Sequence, residues 1–202
     1  PDFAGECKKM APGTVGIDQF VNWLSRFREL VTEQQSYLTD LDSAIGDADH
    51  GANMTRGMNA VMEKIGAAPA GAVDELFKAV GMTLVTSVGG ASGPLYGTLF
   101  LRTGMTAGPV AELDGAGMSA ALRAGLEGVV ARGKAESGDK TMFDAMAPAL
   151  DAWDETLGGG GDLVAAASAD SASELFEVRV ALETQAAALA AQRRDPADFE
   201  SL

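Results

Sequence analysis

The sequence predicts an all-α protein, and three observations support that prediction. Apolar residues recur at intervals of three and four along most of the chain, which is the spacing of one face of a helix. No segment alternates apolar and polar residues convincingly, and β-branched residues are few. Clusters of glycine separate the helical segments. The pattern therefore favours a domain of packed helices.

The predicted helices follow one another along the chain. Apolar residues at helical spacing mark residues 20–38, 54–65, 73–84, 93–106, 115–132, 141–157 and 173–193. The first is one long amphipathic helix, and Asp42 closes it. Several glycines lie inside predicted helices, among them Gly81, Gly97 and Gly125. Because glycine costs helix stability, we interpret these positions as points of close helix–helix approach.

The composition sets bounds on what the protein binds. The chain has 202 residues, enough for one domain or two small ones with a sizeable core. Its formal charge of −14 repels nucleic acid and anionic membranes, and makes cations necessary wherever the protein meets phosphate. One cysteine and one histidine exclude an internal disulfide and a structural zinc site. The sequence also lacks an apolar run of membrane-spanning length, so we expect a cytoplasmic protein that binds neither nucleic acid nor membrane.

An acidic loop interrupts the helical pattern with the sequence DLDSAIGDADHGANM, residues 40–54. Asp47 and Asp49 are two residues apart, so in an extended segment both point to the same side, and Asp42 precedes them. Three converging carboxylates suit Mg²⁺, which prefers oxygen ligands and often coordinates phosphate oxygens at the same time. The next helix begins at His50, and its free N–H groups favour an anion. The loop therefore fits a magnesium–phosphate site.

The acidic loop also has plainer interpretations. Asp and Gly are common turn residues, Asp is a good helix cap, and His50 fits a capping role as well. A calcium-binding EF-hand starting at Asp47 is excluded, because its glycine comes fifth instead of sixth and Met58 stands where a bidentate Glu is required. Residue chemistry alone leaves an ordinary turn and a magnesium site equally open.

Two further glycine-rich segments separate predicted helices. SVGGASGP, residues 87–94, offers backbone amides and serine hydroxyls that suit phosphate, or forms a tight turn with Pro94 in the next helix. RGKAESGDKTM, residues 132–142, is close to a P-loop, but Asp139 separates the second glycine from Lys140 and helical spacing precedes it. We reject the P-loop, and Lys140 either neutralises a phosphate or is solvated.

Three motifs taken together resemble a known family: LDSAIGDADHGANM, TLVTSVGGASGPLYGTLF and RGKAESGDKTMFDA. In this order they resemble the nucleotide-binding L subunit of bacterial dihydroxyacetone kinases, over roughly residues 17–157. The resemblance implies an antiparallel barrel of eight helices with the nucleotide at one end. It implies ADP, or ATP, bound on magnesium ions. It also implies a phosphocarrier subunit of the phosphotransferase system as donor and dihydroxyacetone on a separate kinase subunit as acceptor.

The resemblance assigns residues to this site. It implies that Asp42, Asp47 and Asp49 hold the magnesium ions. It places a second set of residues at the nucleotide: His50, Gly51, Ala52, Asn53, Ala91, Ser92, Gly133 and Met142. No catalytic base is assigned, because phosphoryl transfer depends mainly on positioning and charge neutralisation. We expect a homodimer.

The C-terminal segment does not continue the motifs. We divide the chain into an N-terminal extension (1–16), the nucleotide-binding barrel (17–157), a glycine-rich linker (158–162) and an atypical helical segment (163–202). Residues 173–202 instead resemble the first helix of the effector-binding domain of GntR-type regulators. Two alternatives to an active kinase subunit follow: a catalytically impaired magnesium–nucleotide-binding module, and a non-enzymatic ligand-binding or dimerisation fragment.

Overall fold

A computed structural model describes residues 13–43, 46–139 and 141–159, and within them it contains seven helices and one two-stranded sheet. The elements are β1 (Thr14–Gly16), α1 (Ile17–Glu33), α2 (Gln35–Asp42), α3 (His50–Ala67), α4 (Val73–Ser87), α5 (Ser92–Ala107), β2 (Glu112–Asp114), α6 (Gly115–Gly133) and α7 (Met142–Gly158). The all-α prediction is confirmed. The helix predicted at 173–193, Lys140 and the end of the glycine run lie outside the described residues.

The prediction of one long first helix was wrong in one respect, because Gln34 interrupts the helix and divides it into α1 and α2. This residue ends α1 and precedes α2, with φ −94° and ψ 8°. Helical hydrogen bonds continue on both sides, from the Gln34 N–H to the Leu30 carbonyl and from the Leu38 N–H to the Gln34 carbonyl, both at 2.9 Å. Leu30 and Leu38 are both buried, so the apolar spacing runs through the break and gives no sign of it.

The two strands pair antiparallel, with Val15 opposite Leu113. Both side chains are buried and belong to the core, and the Thr14 hydroxyl donates a 2.8 Å hydrogen bond to Glu112 Oε2. Residues 14–16 had been assigned to the N-terminal extension, yet they pack against the segment before α6. Each strand has three residues, too few to show a two-residue alternation in the sequence.

Glycines allow α4, α5 and α6 to approach closely in antiparallel order. A Cβ on Gly81 of α4 would lie 2.8 Å from the Gly97 carbonyl oxygen of α5. A Cβ on Gly125 of α6 would lie 2.5 Å from Thr103 Oγ1 and 2.9 Å from the Leu99 carbonyl oxygen. Such distances exclude a side chain at these positions, so the interpretation of these glycines as points of close approach is confirmed.

Aromatic side chains from three helices meet in the core. Phe77 of α4 lies with its ring centroid 5.0 Å from that of Phe20, 6.4 Å from Trp23 and 5.8 Å from Phe100. Phe20, Phe77 and Phe100 are each at most 2 % exposed. The contacts of Phe77 with Phe20 and Trp23 are edge-on, and such contacts add to the free energy of burial. Among the described residues, no helix combines the length and apolar character needed to cross a membrane.

A polar cluster ties α6 to α7 at the surface. The Ser119 hydroxyl donates to Asp154 Oδ1 at 2.5 Å, and Arg123 Nε donates to Asp154 Oδ2 at 2.7 Å. Arg123 also donates to Asp151 Oδ1 at 2.9 Å. The hydrogen bond from Ser119, and then the one from Arg123, lower the pKa of Asp154 below its ordinary value of 3.8.

This lowered pKa predicts an acid-dependent loss of stability. A carboxylate whose pKa is lower in the folded state stabilises that state above its unfolded pKa, and the contribution disappears as pH falls through the folded value. We expect the difference in melting temperature between the wild type and Asp154→Asn to be constant from neutral pH to about pH 5 and to shrink below about pH 4. Thermal melts of both proteins across this range check it, and a difference that persists unchanged into strong acid contradicts it.

Candidate functional site

Three carboxylates converge where α2 ends and α3 begins. Asp42 is the last residue of α2, and Asp47 and Asp49 lie in the loop that follows. One carboxylate oxygen of each lies within 4.8 Å of the others. Asp47 is exposed, while Asp42 and Asp49 are partly buried. We call these three residues the acidic triad.

The loop backbone brings the triad together by a turn. The side-chain oxygen Oδ2 of Asp42 accepts hydrogen bonds from the backbone N–H groups of Asp49, at 3.0 Å, and His50, at 3.3 Å. Ala48 has a left-handed φ of 60°, which is uncommon for a residue other than glycine. The expectation of an extended segment between Asp47 and Asp49 was wrong, but the predicted convergence of the carboxylates is present.

The plainer interpretation of Asp49 as a helix cap does not fit the structure. Asp49 occupies the N-cap position of α3 but its side chain makes no capping hydrogen bond. Asp42 satisfies the first N–H groups instead, from the end of the preceding helix. A Cβ at Gly46 would lie 2.9 Å from the Asp42 carboxyl carbon, so a larger residue there would displace this carboxylate. Oxygen donors grouped in this way fit a hard divalent cation such as Mg²⁺.

The N-termini of two helices meet beside the triad. His50 begins α3 and Ser92 begins α5, and His50 Nδ1 lies 3.1 Å from Ser92 Oγ. Both helices direct the positive end of a helix dipole toward this point, and the N–H groups of their first turns have no acceptor within the helix. Gly90, in the loop before α5, has a φ of 63°, a conformation that glycine adopts readily. The arrangement suits an anion held close to the backbone.

Of the other residues predicted at the phosphates, Asn53 is buried, whereas Ala52 and Ala91 are exposed. Asn53 is buried, and its amide lies against the loop before α5, since a Cβ on Gly89 would be 3.0 Å from Asn53 Nδ2. The exposed residues Ala52 and Ala91 lie in the first turn of α3 and at the N-cap of α5.

The two residues predicted at the nucleoside lie on α6 and α7. Gly133 is the exposed last residue of α6, and a Cβ there would be 3.2 Å from Leu95 in the first turn of α5. This contact brings the end of α6 to the same end of the helices as the triad. Met142 begins α7 and packs into the hydrophobic core. Its contact with a nucleoside stays a prediction.

One polar residue of this region was missed by the sequence analysis. Arg56 donates from Nε to the Ser87 carbonyl oxygen at 3.1 Å and from a terminal nitrogen to Asn53 Oδ1 at 2.6 Å. It follows Asn53 by three residues, a spacing that places both on one helix face. That spacing was the available signal. An open groove on the outer face of α4, lined by residues such as Lys64, Lys78 and Met82, contains none of the predicted site residues.

Gly51 has a packing role that leads to a prediction. A Cβ there would lie 2.7 Å from Thr39 Oγ1 and 2.9 Å from the Gln35 carbonyl carbon of α2. We expect Gly51→Ala to lower the free energy of unfolding by about 1–3 kcal/mol, because α2 must move away and carries Asp42 with it. Urea unfolding measures this change.

Gly66 supplies the matched control for Gly51. It lies in the same helix, and an added Cβ would meet nothing within 4 Å. Gly66→Ala is therefore expected to be neutral or to stabilise the protein by up to about 1 kcal/mol, through helix propensity. Equal effects of the two substitutions would contradict the packing role of Gly51.

The sequence matches the family described as the DAK2 domain over residues 44–194, a match that continues past the glycine run at 158–161. It is 49% identical over 128 residues to a PTS-dependent dihydroxyacetone kinase, ADP-binding subunit DhaL, of Lactococcus lactis, with 63% of this chain and 64% of the relative covered. It is 46% identical over 133 residues to the ADP-binding subunit DhaL of a PEP-dependent dihydroxyacetone kinase of Escherichia coli, with 66% and 63% covered. The chain thus spans just under two thirds of the length of these two relatives.

The fold is also similar to a solved structure. The dihydroxyacetone kinase from C. freundii, in complex with AMP-PNP and Mg²⁺, superposes with a TM-score of 0.63 and 24% sequence identity. The similarity covers 95% of this chain and 35% of that one. At this identity the comparison supports the all-α fold.

Proposed function

Since this chain belongs to the DAK2 domain family, we propose that it is the Mg–ADP-binding subunit of a dihydroxyacetone kinase. In this role it relays phosphate to dihydroxyacetone held on a separate subunit. One observation carries the proposal: the acidic triad lies beside the paired N-termini of α3 and α5, which the His50–Ser92 contact joins. The names of the bacterial relatives, which are ADP-binding subunits, support the same assignment.

The residues of the site would share the task as follows. Asp42, Asp47 and Asp49 would hold magnesium, since one carboxylate oxygen of each lies within 4.8 Å of the others. Bound magnesium supplies charge neutralisation for the phosphates. Further N–H groups in the first turns of α3 and α5, beyond the two that donate to Asp42, would bind phosphate oxygens. His50 and Ser92 share a hydrogen bond, so each fixes the orientation of the other at the junction of the two helices.

We extend the proposal to the partners of the chain. A dihydroxyacetone-binding kinase subunit would accept the phosphate, and a phosphocarrier subunit of the phosphotransferase system, or ATP, would supply it. Gly133 and Met142 would line the nucleoside end of the site, and Gly51, Ala52, Asn53 and Ala91 would lie along the phosphates. We also propose that the protein is a cytoplasmic homodimer.

A thermal-unfolding titration tests the binding half of this proposal. ADP with Mg²⁺ at about 100 times the dissociation constant should add about 2.7 kcal/mol to the free energy of unfolding. ADP with EDTA and Mg²⁺ without ADP are the controls. No magnesium-dependent response to ADP would overturn the assignment and leave the non-enzymatic fragment as the alternative.

Reconstitution tests the transfer half. The chain, mixed with a dihydroxyacetone-binding subunit and a phosphocarrier subunit of the family, should phosphorylate dihydroxyacetone in an ADP-dependent manner. Magnesium-dependent binding without transfer would select the catalytically impaired module instead. The oligomeric state is read separately by light scattering.

A further inference from the structure

Arg56 connects three parts of the candidate site. Its side chain leaves α3, donates to the Ser87 carbonyl at the end of α4 and donates to Asn53 within α3. The Ser87 carbonyl belongs to the last turn of α4, whose carbonyl groups have no partner within the helix. Directly after Ser87 comes the glycine-rich loop that leads to Ser92. One guanidinium group therefore fastens the start of this loop to α3.

The same guanidinium determines which way the Asn53 amide faces. Guanidinium nitrogens only donate hydrogen bonds, so the Asn53 atom at 2.6 Å from Arg56 must be the acceptor Oδ1. The donor Nδ2 is then the amide atom nearer to Gly89, since a Cβ built there would lie 3.0 Å from Nδ2 and 3.3 Å from Oδ1. Asn53 is 5 % exposed, so a reversal of the amide would turn its buried N–H₂ group toward the guanidinium donors of Arg56, where it would find no acceptor.

The charge of Arg56 is not neutralised by a neighbouring acid. Within the described part of the chain, both of its hydrogen bonds go to neutral oxygens, and no carboxylate pairs with it. Arg123, by contrast, binds two aspartates. An arginine that orients a buried amide, without a carboxylate partner, has a local task other than ion pairing.

We propose that Arg56 is a positioning residue for the phosphate end of the nucleotide site. It holds the Asn53 amide with its N–H₂ group toward the glycine-rich loop, so that this donor is ready for a phosphate oxygen before the ligand arrives. The inference rests on the proposed function, because it names what orients one of its binding residues. A preorganised donor costs no reordering on binding, which is where its contribution to affinity arises.

Calorimetric titration of Mg–ADP into single and double variants tests the proposal. We expect Arg56→Gln to weaken binding at least about ten-fold, and Arg56→Lys to be nearly as weak, since lysine keeps the charge but lacks the planar fork of donors. In an Asn53→Ala background, Arg56→Gln should weaken binding by less than about two-fold, because the residue through which it acts is gone.

The control is Arg102→Gln, an exposed arginine of α5 that makes the same change of charge. It lies ten residues beyond Ser92, about 15 Å along the helix, and should change the affinity by less than about two-fold. Independent, multiplying effects of Arg56→Gln and Asn53→Ala would overturn the proposal, as would full rescue by lysine. A lowered melting temperature of the free protein with unchanged affinity would assign Arg56 a structural role and overturn it too. If the wild type itself does not bind Mg–ADP, the proposed function fails, and this inference fails with it.

Discussion

Asp47→Asn is expected to weaken Mg–ADP binding by at least about 2 kcal/mol, or about thirty-fold, while the ligand-free protein melts within about 2 °C of the wild type. Asp47 is exposed and belongs to a carboxylate group whose oxygens lie within 4.8 Å. Exposed substitutions of this kind change stability by only about 0.5 kcal/mol. Removal of one anionic ligand, in contrast, acts directly on a hard cation. Thermal melts with and without Mg–ADP separate the two effects.

Asp40→Asn is the matched control for this prediction. Asp40 is an exposed aspartate of α2, and its substitution makes the same change of net charge two residues from Asp42. It should bind Mg–ADP as the wild type does. Equal responses of Asp40→Asn and Asp47→Asn to Mg–ADP would show that general acidity, and not the geometry of the triad, determines binding.

Phe77→Ala is expected to lower the free energy of unfolding by about 3–5 kcal/mol. Phe77 is fully buried and contacts Phe20 and Trp23 of α1 and Phe100 of α5, so its loss leaves a cavity where three helices meet. A domain has only about 5–15 kcal/mol of stability in total. The variant should therefore unfold at a much lower urea concentration, with an unchanged m-value.

Phe77→Leu serves as the comparison for this substitution. Leucine refills most of the cavity, so we expect a smaller loss of about 1–2 kcal/mol, including the lost aromatic contacts. Similar losses for alanine and leucine would mean that the ring contacts, and not the filled volume, dominate. A loss below about 1 kcal/mol for alanine would contradict the central position of Phe77 in the core.

Most of the helices could be predicted from the sequence, because their apolar faces are buried in the order that the spacing implies. Met54, Met58 and Val61 are all at most 1 % exposed, as their three- and four-residue spacing predicts. The break at Gln34 could not be predicted, since no glycine or proline marks it and Leu38 keeps its place on the buried face. The two strands could not be predicted, because the residues that pair are about one hundred positions apart in the sequence.

The sequence predicted the part of the candidate site that consists of clustered charges, but not the part that depends on backbone conformation. Three aspartates within eight residues drew attention to the loop, and their convergence is present in the structure. The left-handed Ala48 was unpredictable, because alanine gives no sign of such a conformation. Arg56 was missed for another reason: its role depends on the Ser87 carbonyl, thirty-one residues away, which only the packing of α3 on α4 brings near.

The double use of Asp42 limits how this loop can vary. One oxygen of the side chain holds the first N–H groups of α3, and the carboxylate also belongs to the triad. A glutamate would satisfy the need for charge, but its carboxylate would stand one methylene further from the backbone than the one that accepts from the N–H groups of Asp49 and His50. Asp47 has one role, as a carboxylate of the triad, whereas Asp42 is both a carboxylate of the triad and the acceptor for the start of α3. Substitution of Asp42 would therefore remove the acceptor for the first N–H groups of α3 and one carboxylate of the triad in a single step.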